Sequence, residues 1–136
     1  MHKVVYFSTT SKYESIDVTH NVQIAVKESK IKEGLVSVFV SHATCGIIVN
    51  ENADPNIQLD FLDAMQELIK DGKWRHDKID GNAAAHIKAS LVGPSVVVPV
   101  VDGKLALGTW QNIMVLDFDG PRNHRSFHIS VISDNR

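Results

Sequence analysis

The sequence lacks the features that mark several large classes of protein. It has one cysteine, Cys45, so an internal disulfide is excluded and a reducing compartment, the cytoplasm, is the expected location. It has no apolar run of about 18 residues and no apolar N-terminal segment of the signal-peptide kind, so neither a membrane span nor a leader is expected. Its net charge is −2, whereas dedicated nucleic-acid surfaces usually show a strong basic excess.

Several short functional motifs are also missing. There is no Walker loop and no GxGxxG, so a nucleotide is not indicated, and no HxH or HExxH spacing ties two histidines together as metal ligands. What is present is the composition of an ordinary globular protein, 43% hydrophobic and 22% charged, together with seven histidines. The 136 residues are expected to form one domain, 1–136, long enough to bury a core.

Apolar periodicity predicts an α+β fold. Asp102-Gly103 between two apolar runs indicates a type I′ hairpin, so the sheet is expected to be mostly antiparallel. Pro99 places its own strand at an edge or a bulge. The predicted strands cover residues 3–9, 14–17, 35–41, 45–49, 95–101, 105–118 with a bend near Gly108, and 126–133, and the predicted helices cover about 20–31, 54–72 and 81–92.

The ends and the buried faces of the first two helices are predicted from capping residues and spacing. Thr19 is expected to cap the first helix and Gly34 to end it, while Asp54 and Pro55 are the N-cap and first residue of the second. The second helix should turn one apolar stripe toward the core, formed by Ile57, Phe61, Met65, Leu68 and Ile69.

Three histidines form the first candidate site. His42 ends the buried face of the strand over 35–41, His76 lies in a charged loop, and His86 lies among alanines on a short helix. Distant segments commonly assemble a metal or acid–base site in this way, so the three are candidate ligands of a divalent metal, and His42 and His86 are candidate acid–base groups. The alternative is that these are satisfied or exposed histidines without a joint role.

Two further residues are candidates for catalysis. Cys45 follows His42 closely, and a thiol near a histidine can act as a nucleophile, although a small buried residue on a strand is the alternative. Glu51 lies between two asparagines at a strand end and has no evident structural role, so it is the preferred carboxylate for a general base or a hard-cation ligand.

The remaining candidates are ligand-binding residues. Arg75 next to His76, Lys88 on the His86 helix, and Arg122 can together hold a phosphate, with solvated surface charges as the alternative. Trp110 and Gln111, in Gly108-Thr-Trp-Gln111, offer a stacking face and two-way hydrogen bonding for a planar ligand, with a core tryptophan beside a bulge or an oligomer contact as the alternative.

The order of these blocks resembles the YjbQ-like family, also called UPF0047 and the secondary thiamine-phosphate synthase family. The clearest likeness is SVVVPVVDGKLALGTWQNI over 95–113. Other blocks in the same order are His42-Ala-Thr-Cys45, Asn50–Pro55, Arg75-His76, Asn82–Lys88 and the late turn Asp119–Arg122. Asn82 joins the ligand-binding candidates through this resemblance.

The resemblance implies an α+β fold whose sheet curves into a partial barrel, with two to three helices, and a homotrimer with sites near the subunit interfaces. It implies condensation of an aminopyrimidine diphosphate with a thiazole phosphate, releasing pyrophosphate, with the motif residues falling on His42, Glu51, His76 and His86. This sequence has Ala43 where many members carry a hydroxyl residue, and Cys45 where members often have alanine.

The implied chemistry and the candidate ligands point to different metals. Release of a diphosphate calls for Mg²⁺ and cationic partners, whereas three histidines suit a softer ion such as Zn²⁺. Two alternatives to the synthase therefore stay open. One is a metal-dependent hydrolase or lyase acting on a phosphorylated metabolite, and the other is a non-catalytic trimeric metabolite-binding protein.

Overall fold

The computed structural model describes residues 1–134, in which three α-helices flank two antiparallel sheets. No helix in that part of the chain is long and apolar enough to cross a bilayer. The helices are α1 (Thr19–Ser29), α2 (Asn56–Leu68) and α3 (Ala83–Val92), with a one-turn 3-10 helix at Arg75–Lys78. The strands are β1 (His2–Thr9), β2 (Glu14–Asp17), β3 (Gly34–Val40), β4 (Cys45–Asn50), β5 (Ser95–Val101), β6 (Lys104–Leu105), β7 (Asn112–Asp117) and β8 (Arg122–Ser133).

The strands divide between a five-stranded sheet I, in the order β1-β8-β3-β5-β6, and a three-stranded sheet II, in the order β2-β7-β4. Every pairing is antiparallel, and one sheet curls into a half-barrel. The predicted α+β class, with a mostly antiparallel curved sheet and two to three helices, is confirmed.

The main core joins helix α1 to residues from both sheets. Val36, Val38 and Val40 of β3 are fully buried, as their alternation predicts, and so are Val22 and Val26 of α1. Side chains from β4, β7 and β8 complete this cluster. Full burial of one such side chain contributes about 1.5–3 kcal/mol, so this cluster is the main source of stability.

The predicted long strand over 105–118 is wrong. Residues 106–111 leave sheet I after Leu105, and the chain enters sheet II at Asn112. A turn makes the change: the Gln111 N–H donates to the Gly108 carbonyl at 3.0 Å, and the Gly108 N–H donates to Gln111 Oε1 at 2.8 Å. The hairpin before it is confirmed, since Asp102 and Gly103 both have positive φ, as a type I′ turn requires.

The predicted ends of α1 are also wrong. The Thr19 hydroxyl does not cap the helix, because it donates to Asp17 Oδ1 at 2.7 Å and accepts from the Ile113 N–H at 2.9 Å. The helix ends at Lys30, in the left-handed conformation, and Gly34 instead begins β3. A Cβ at Gly34 would lie only 2.0 Å from the Ile132 carbonyl oxygen, which explains a glycine at that place.

The buried face of α2 is rotated by about one position from the predicted stripe. Met65 and Ile69 are buried as expected, but Leu68 is 72% exposed and Leu62 takes its place in the core. Gln58 is also buried, since its amide donates to the Glu51 carbonyl at 2.6 Å and accepts from Ser15 at 3.1 Å. At the start of this helix Asp54 Oδ1 accepts the Asn56 N–H at 3.0 Å, but the helix begins at Asn56 with Pro55 as its N-cap, one residue later than predicted.

Candidate active site

Helix α3 presents one face to the loop between β3 and β4. Asn82, His86 and Ser90 recur at four-residue intervals and therefore share that face. Helix and strand pack closely because β4 carries Gly46, where a Cβ would lie 2.6 Å from Val92 Cγ1. Between them lies a cleft of about 250 Å³, the His42–His86 cleft, lined by His42, Ala43, Cys45, His86, Ala89, Ser90 and Pro94.

His42 is held in one tautomer. Its Nε2 accepts the Ser126 backbone N–H at 3.0 Å, so in the neutral ring Nδ1 carries the proton. Burial lowers the pKa of His42, and the nearby Arg125 charge lowers it further. His42 is therefore a neutral hydrogen-bond donor through Nδ1, and its Nε2 lone pair is unavailable to a metal or a proton.

A buried ion pair lies behind His42. Arg125 Nη2 donates to Asp117 Oδ1 at 3.2 Å and to Thr44 Oγ1 at 3.1 Å, while Thr9 donates to the other oxygen of Asp117 at 2.8 Å. The sequence analysis did not find this pair. The available signal was alternation in β8, where Arg125 shares the buried parity of Phe127.

Cys45 does not have the properties of a nucleophile. Its side chain is buried, and its thiol points toward Asp117 Oδ1 at 3.7 Å. Burial, with the carboxylate of Asp117 second, raises the pKa of Cys45 to about 12. Because the thiolate is the reactive form, these surroundings favour the alternative of a small buried residue, and the catalytic role of Cys45 stays a prediction.

His76 packs against His86 at the outer end of the cleft. The ring centroids lie 4.9 Å apart with the rings nearly perpendicular, and His76 Nε2 lies 3.5 Å from Asp80 Oδ2. Asp77 fixes this arrangement, because its two oxygens accept the Trp74 N–H at 3.1 Å and the Ala83 N–H at 3.0 Å. It ties the 3-10 helix to the start of α3, a role that the sequence analysis missed.

The three histidines do not make a metal site within one copy of the chain. Residues 1–134 contain no group of three histidine, cysteine, aspartate or glutamate side chains that could hold a metal ion. His76 and His86 are in contact, but His42 offers a proton rather than a lone pair. The predicted set of His42, His76 and His86 as joint ligands is therefore not found in the single chain.

Asn82 and Arg122 meet at Asp119. The Asn82 amide and the Arg122 guanidinium both donate to Asp119 Oδ2, each at 2.9 Å. Asn82 Oδ1 is enclosed and has no hydrogen-bond partner among residues 1–134. Arg122 is about half exposed, so it can contact an anion near the cleft while Asp119 neutralises part of its charge.

The predicted phosphate triad of Arg75, Lys88 and Arg122 is not assembled. Lys88 is 1% exposed; its ammonium group donates to Gln66 Oε1 and lies 4.4 Å from the centre of the Tyr13 ring. Burial lowers the pKa of Lys88. Arg75 is exposed on the 3-10 helix. The prediction fails for Lys88 because its side chain leaves α3 on the face opposite the cleft, toward α2.

Glu51, Trp110 and Gln111 lie at the opposite end of sheet II. In the pairing of β4 with β7, Cys45 is opposite Asp117 and Asn50 is opposite Asn112. Six strand residues separate the two ends by roughly 17 Å at about 3.3 Å per residue. Trp110 is 65% exposed, and Gln111 is engaged in the turn at Gly108. One copy of the chain therefore divides the candidate residues between two ends.

Comparison with known proteins places these features in a family. The model of the UPF0047 protein YjbQ-like family matches residues 3–134. A UPF0047 protein of Methanocaldococcus jannaschii is 43% identical over 126 residues, which cover 93% of this chain and 90% of the relative. The UPF0047 protein YugU of Bacillus subtilis is 40% identical over 130 residues, with 93% and 96% covered.

Solved structures agree with the sequence relatives. A YbjQ-like protein of unknown function from Sulfolobus solfataricus superposes with a TM-score of 0.96 at 36% identity, covering 98% of this chain and 97% of that one. An uncharacterised YjbQ/UPF0047 protein from Clostridium acetobutylicum gives 0.92 at 40% identity, covering 96% and 99%. The family model, the sequence relatives and the solved structures agree over nearly the whole chain, and this chain belongs to the UPF0047 protein YjbQ-like family.

Proposed function

We propose that this protein is a cytoplasmic enzyme that acts on a small phosphorylated metabolite, with His86 and His42 carrying the chemistry in the His42–His86 cleft. The observation that carries the proposal is the pairing of a histidine fixed as a neutral donor with a second histidine whose ring nitrogens have no hydrogen-bond partner among residues 1–134. Such a pair supplies one fixed hydrogen-bond donor and one group free to transfer a proton.

The reaction we propose is the one implied by the family resemblance, a thiamine-phosphate synthase type of transfer that releases pyrophosphate. Nδ1–H of His42 donates to an oxygen that gains negative charge, and its position is set by the Ser126 N–H rather than by the substrate. The thiazole nitrogen forms a bond to the methylene carbon as the carbon–oxygen bond to pyrophosphate breaks, and His86 donates a proton to the departing oxygen. Arg122 contacts a phosphate at the mouth of the cleft. Asn82 shares the Asp119 carboxylate with Arg122 and so fixes that carboxylate at the start of α3.

The cleft of one copy is small for this task. Its volume of about 250 Å³ lies below the range of about 300–1,000 Å³ that is usual for ligand sites. Glu51, Trp110 and Gln111, which the resemblance includes among the functional blocks, lie at the far end of sheet II. We propose that a neighbouring copy brings its Glu51 and Trp110 to this cleft, where the exposed indole stacks on a planar ring.

The outer face of sheet I supports association into a homotrimer. The inward residues of β3, β5 and β8 are buried, and the residues between them are exposed although many are apolar. Opposed positions on neighbouring strands make this face continuous, for example Leu35 beside Ile132 and Ser37 beside Val97. The large apolar side chains of this face are Tyr6, Leu35, Phe39, Val97, Val101 and Ile132. Apolar patches of this kind mark protein–protein contacts.

The residues of one copy of the chain favour Mg²⁺ over Zn²⁺. A histidine-bound Zn²⁺ is poorly supported, because His42 does not present a lone pair and residues 1–134 hold no three-ligand cluster. The histidine-metal hydrolase is therefore the weaker candidate. Mg²⁺ is expected to bind together with the substrate, coordinated by its diphosphate oxygens, since this ion prefers oxygen ligands and retains several waters.

The direct test is formation of thiamine phosphate by purified protein with Mg²⁺ and both substrates. Wild type, His86→Ala and the control His124→Ala, which removes an exposed histidine of β8, are compared side by side. We expect His86→Ala to lose activity by about 100-fold or more, since acid–base groups contribute roughly 10²–10⁴-fold, and His124→Ala to keep it. No product from wild type would refute the synthase, and equal product from His86→Ala would remove His86 from the mechanism.

If wild type binds the substrates without turnover, the non-catalytic binding protein becomes the better description. Tryptophan fluorescence distinguishes this outcome when it is measured in a Trp74→Phe background, because Trp110 then provides the signal. Quenching by the aminopyrimidine substrate without product would identify a metabolite-binding protein.

A further inference from the structure

A second cleft lies on the other side of the molecule, between α1 and the β5–β6 hairpin. Its volume is about 570 Å³, larger than that of the His42–His86 cleft. We call it the lysine cleft, and it is lined by Gln23, Lys27, Lys32, Asp102, Gly103, Lys104 and Leu105. It shares no lining residue with the His42–His86 cleft and no residue with the proposed catalytic group.

The charge of this cleft differs from that of the whole chain. Three lysines and one aspartate line it, although the net charge of the chain is −2. Lys27, Lys32 and Lys104 make no ion pair with any carboxylate in residues 1–134, whereas Lys3 and Lys12 are paired with Glu28 and Asp71. The cleft therefore presents three exposed ammonium groups against the single carboxylate of Asp102, which leaves an excess of positive charge for an anion.

Its walls are fixed before any ligand arrives. The Gln23 side chain joins α1 to the hairpin, donating to the Gly103 carbonyl at 3.2 Å and accepting the Leu105 N–H at 3.1 Å. The Gly103 N–H donates to the Lys32 carbonyl at 3.0 Å, and the Asp102 N–H donates to Glu33 at 2.9 Å. A hairpin held at four points is a rigid wall, which limits the ordering that binding requires.

Gly103 also leaves room for the ammonium group of Lys32. Its φ of +74° belongs to the type I′ turn, and a Cβ there would be 3.3 Å from Lys32 Nζ. The absence of a side chain lets the Lys32 ammonium group lie over the turn, at the same cleft as Lys27 and Lys104.

An adjoining cleft continues the lysine cleft toward sheet II. It has a volume of about 550 Å³, shares Gln23 and Leu105 with the lysine cleft, and adds Asp17, Thr19, His20, Leu107 and Asn112. The two together form one groove with three lysines and Asp102 at one end, and two leucines, a histidine, amide groups and Asp17 at the other. The combined shape matches an elongated metabolite with a charged tail and a less polar head.

We infer that the lysine cleft binds the phosphate or diphosphate group of a soluble metabolite, with the rest of that metabolite lying over Leu105 and Leu107. The site is separate from the proposed catalytic cleft. Its position between a helix and a hairpin, with leucines continuing the groove, favours a soluble metabolite over a bilayer, whose headgroups are the other source of the same phosphate chemistry.

The probe is inorganic pyrophosphate, titrated calorimetrically into the full chain at ionic strength matched with NaCl. Four proteins are compared: wild type, His86→Ala, the double variant Lys32→Gln/Lys104→Gln, and the control Lys73→Gln, which removes one exposed lysine outside both clefts. We expect binding in wild type, His86→Ala and Lys73→Gln. In the double variant we expect loss of the same binding event, with an increase in Kd of at least tenfold.

Two further results have defined meanings. Equal binding in the double variant, or binding that disappears in His86→Ala alone, would overturn the lysine site while leaving the proposed catalytic cleft intact. Association with vesicles that contain a phosphoinositide, without binding of free pyrophosphate, would also overturn it in favour of a membrane headgroup. Circular dichroism of each variant checks that the fold persists, so that lost binding reports the removed charges.

Discussion

At the scale of single residues, His42 links the candidate site to the pH dependence of stability. Its pKa is lowered in the folded chain, by burial and then by Arg125, so the unfolded chain binds this proton more tightly. Stability from this group is therefore fully present above the unfolded value of about 6.5 and falls as the pH drops below it. We expect urea unfolding to show a smaller loss of stability in His42→Gln than in wild type between about pH 7.5 and about pH 5.

The control for this prediction is His124→Gln, which removes an exposed histidine of the same chain. It should retain the wild-type difference between the two pH values. If His42→Gln and wild type lose the same free energy of unfolding on acidification, His42 does not carry the effect and its neutral state in the fold is refuted.

Cys45 gives a second prediction at this scale. A pKa raised from its ordinary 9.0 to about 12 reduces the thiolate fraction near pH 8 about 1,000-fold, and burial adds a steric barrier. We expect iodoacetamide to label the native protein far more slowly than the protein in guanidinium chloride, with mass spectrometry as the readout. Rapid labelling of folded protein would restore Cys45 as a reactive thiol, and Cys45→Ala should otherwise leave activity unchanged.

At the scale of elements, the packing of α3 on β4 sets the geometry of the candidate site. A methyl group at Gly46 would lie 2.6 Å from Val92 Cγ1, so the helix carrying His86 would have to move. We expect Gly46→Ala to destabilise the protein by about 1–3 kcal/mol, the usual cost of overpacking, and to lower the activity proposed for His86. Thermal unfolding measures the first effect and product formation the second.

The double variant Gly46→Ala/Val92→Ala is the matched test of this explanation. Removing the Val92 methyl groups takes away the nearest contact, although the Cβ of residue 92 remains 3.0 Å and the Gly93 carbonyl 3.2 Å from the added Cβ. We expect Gly46→Ala to cost less free energy of unfolding in the Val92→Ala background than in wild type. Strictly additive losses would mean that the two positions do not interact, and that the close approach is not what fixes α3.

Elements with local signals were predictable, and those decided by long-range pairing were not. The alternation of Val36 and Val38 and the Asp102-Gly103 turn carry their structure in adjacent residues, and both predictions are confirmed. The split of 105–118 between two sheets depends on Gln111 folding back to Gly108, which an apolar run does not reveal. In α2 the satisfied amide of Gln58 allowed a polar residue to occupy the buried face, which periodicity of apolar residues cannot predict.

The candidate site was predictable to the same degree. His42 and His86 do line one cleft, as predicted. The sequence does not show that the Ser126 N–H donates to His42, so it could not exclude His42 as a metal ligand. It also could not distinguish a reactive Cys45 from a buried one. Arg125 was missed because its partner Asp117 is on β7, which belongs to the other sheet. Lys88 was misassigned because it was grouped with His86 by helix alone, although residues two apart lie on nearly opposite faces of a helix.

At the scale of the whole molecule, the exposed apolar face of sheet I predicts the oligomeric state. A lysine at Val97, at the middle of that face opposite Ser37, would place a charge in the proposed interface. We expect Val97→Lys to change a trimer into a monomer in sedimentation velocity and to reduce activity, since Glu51 and Trp110 of a neighbour are then lost. Leu68→Lys, at a leucine on α2 that is more exposed than Val97, should retain the proposed trimer. A monomeric wild type would refute the shared site.

The central strands of the two sheets have a consequence for how the protein opens. Strand β7 lies between β2 and β4, strand β8 lies between β1 and β3, and only residues 118–121 join them. Amide protons along both strands exchange with solvent only when their neighbours detach, so the two sheets should lose protection together as one cooperative unit. Native-state hydrogen exchange in low denaturant would then give the same opening free energy for Val115 and Ile129. The protein would have no partly unfolded state in which the His42–His86 cleft is lost while the sheets remain intact.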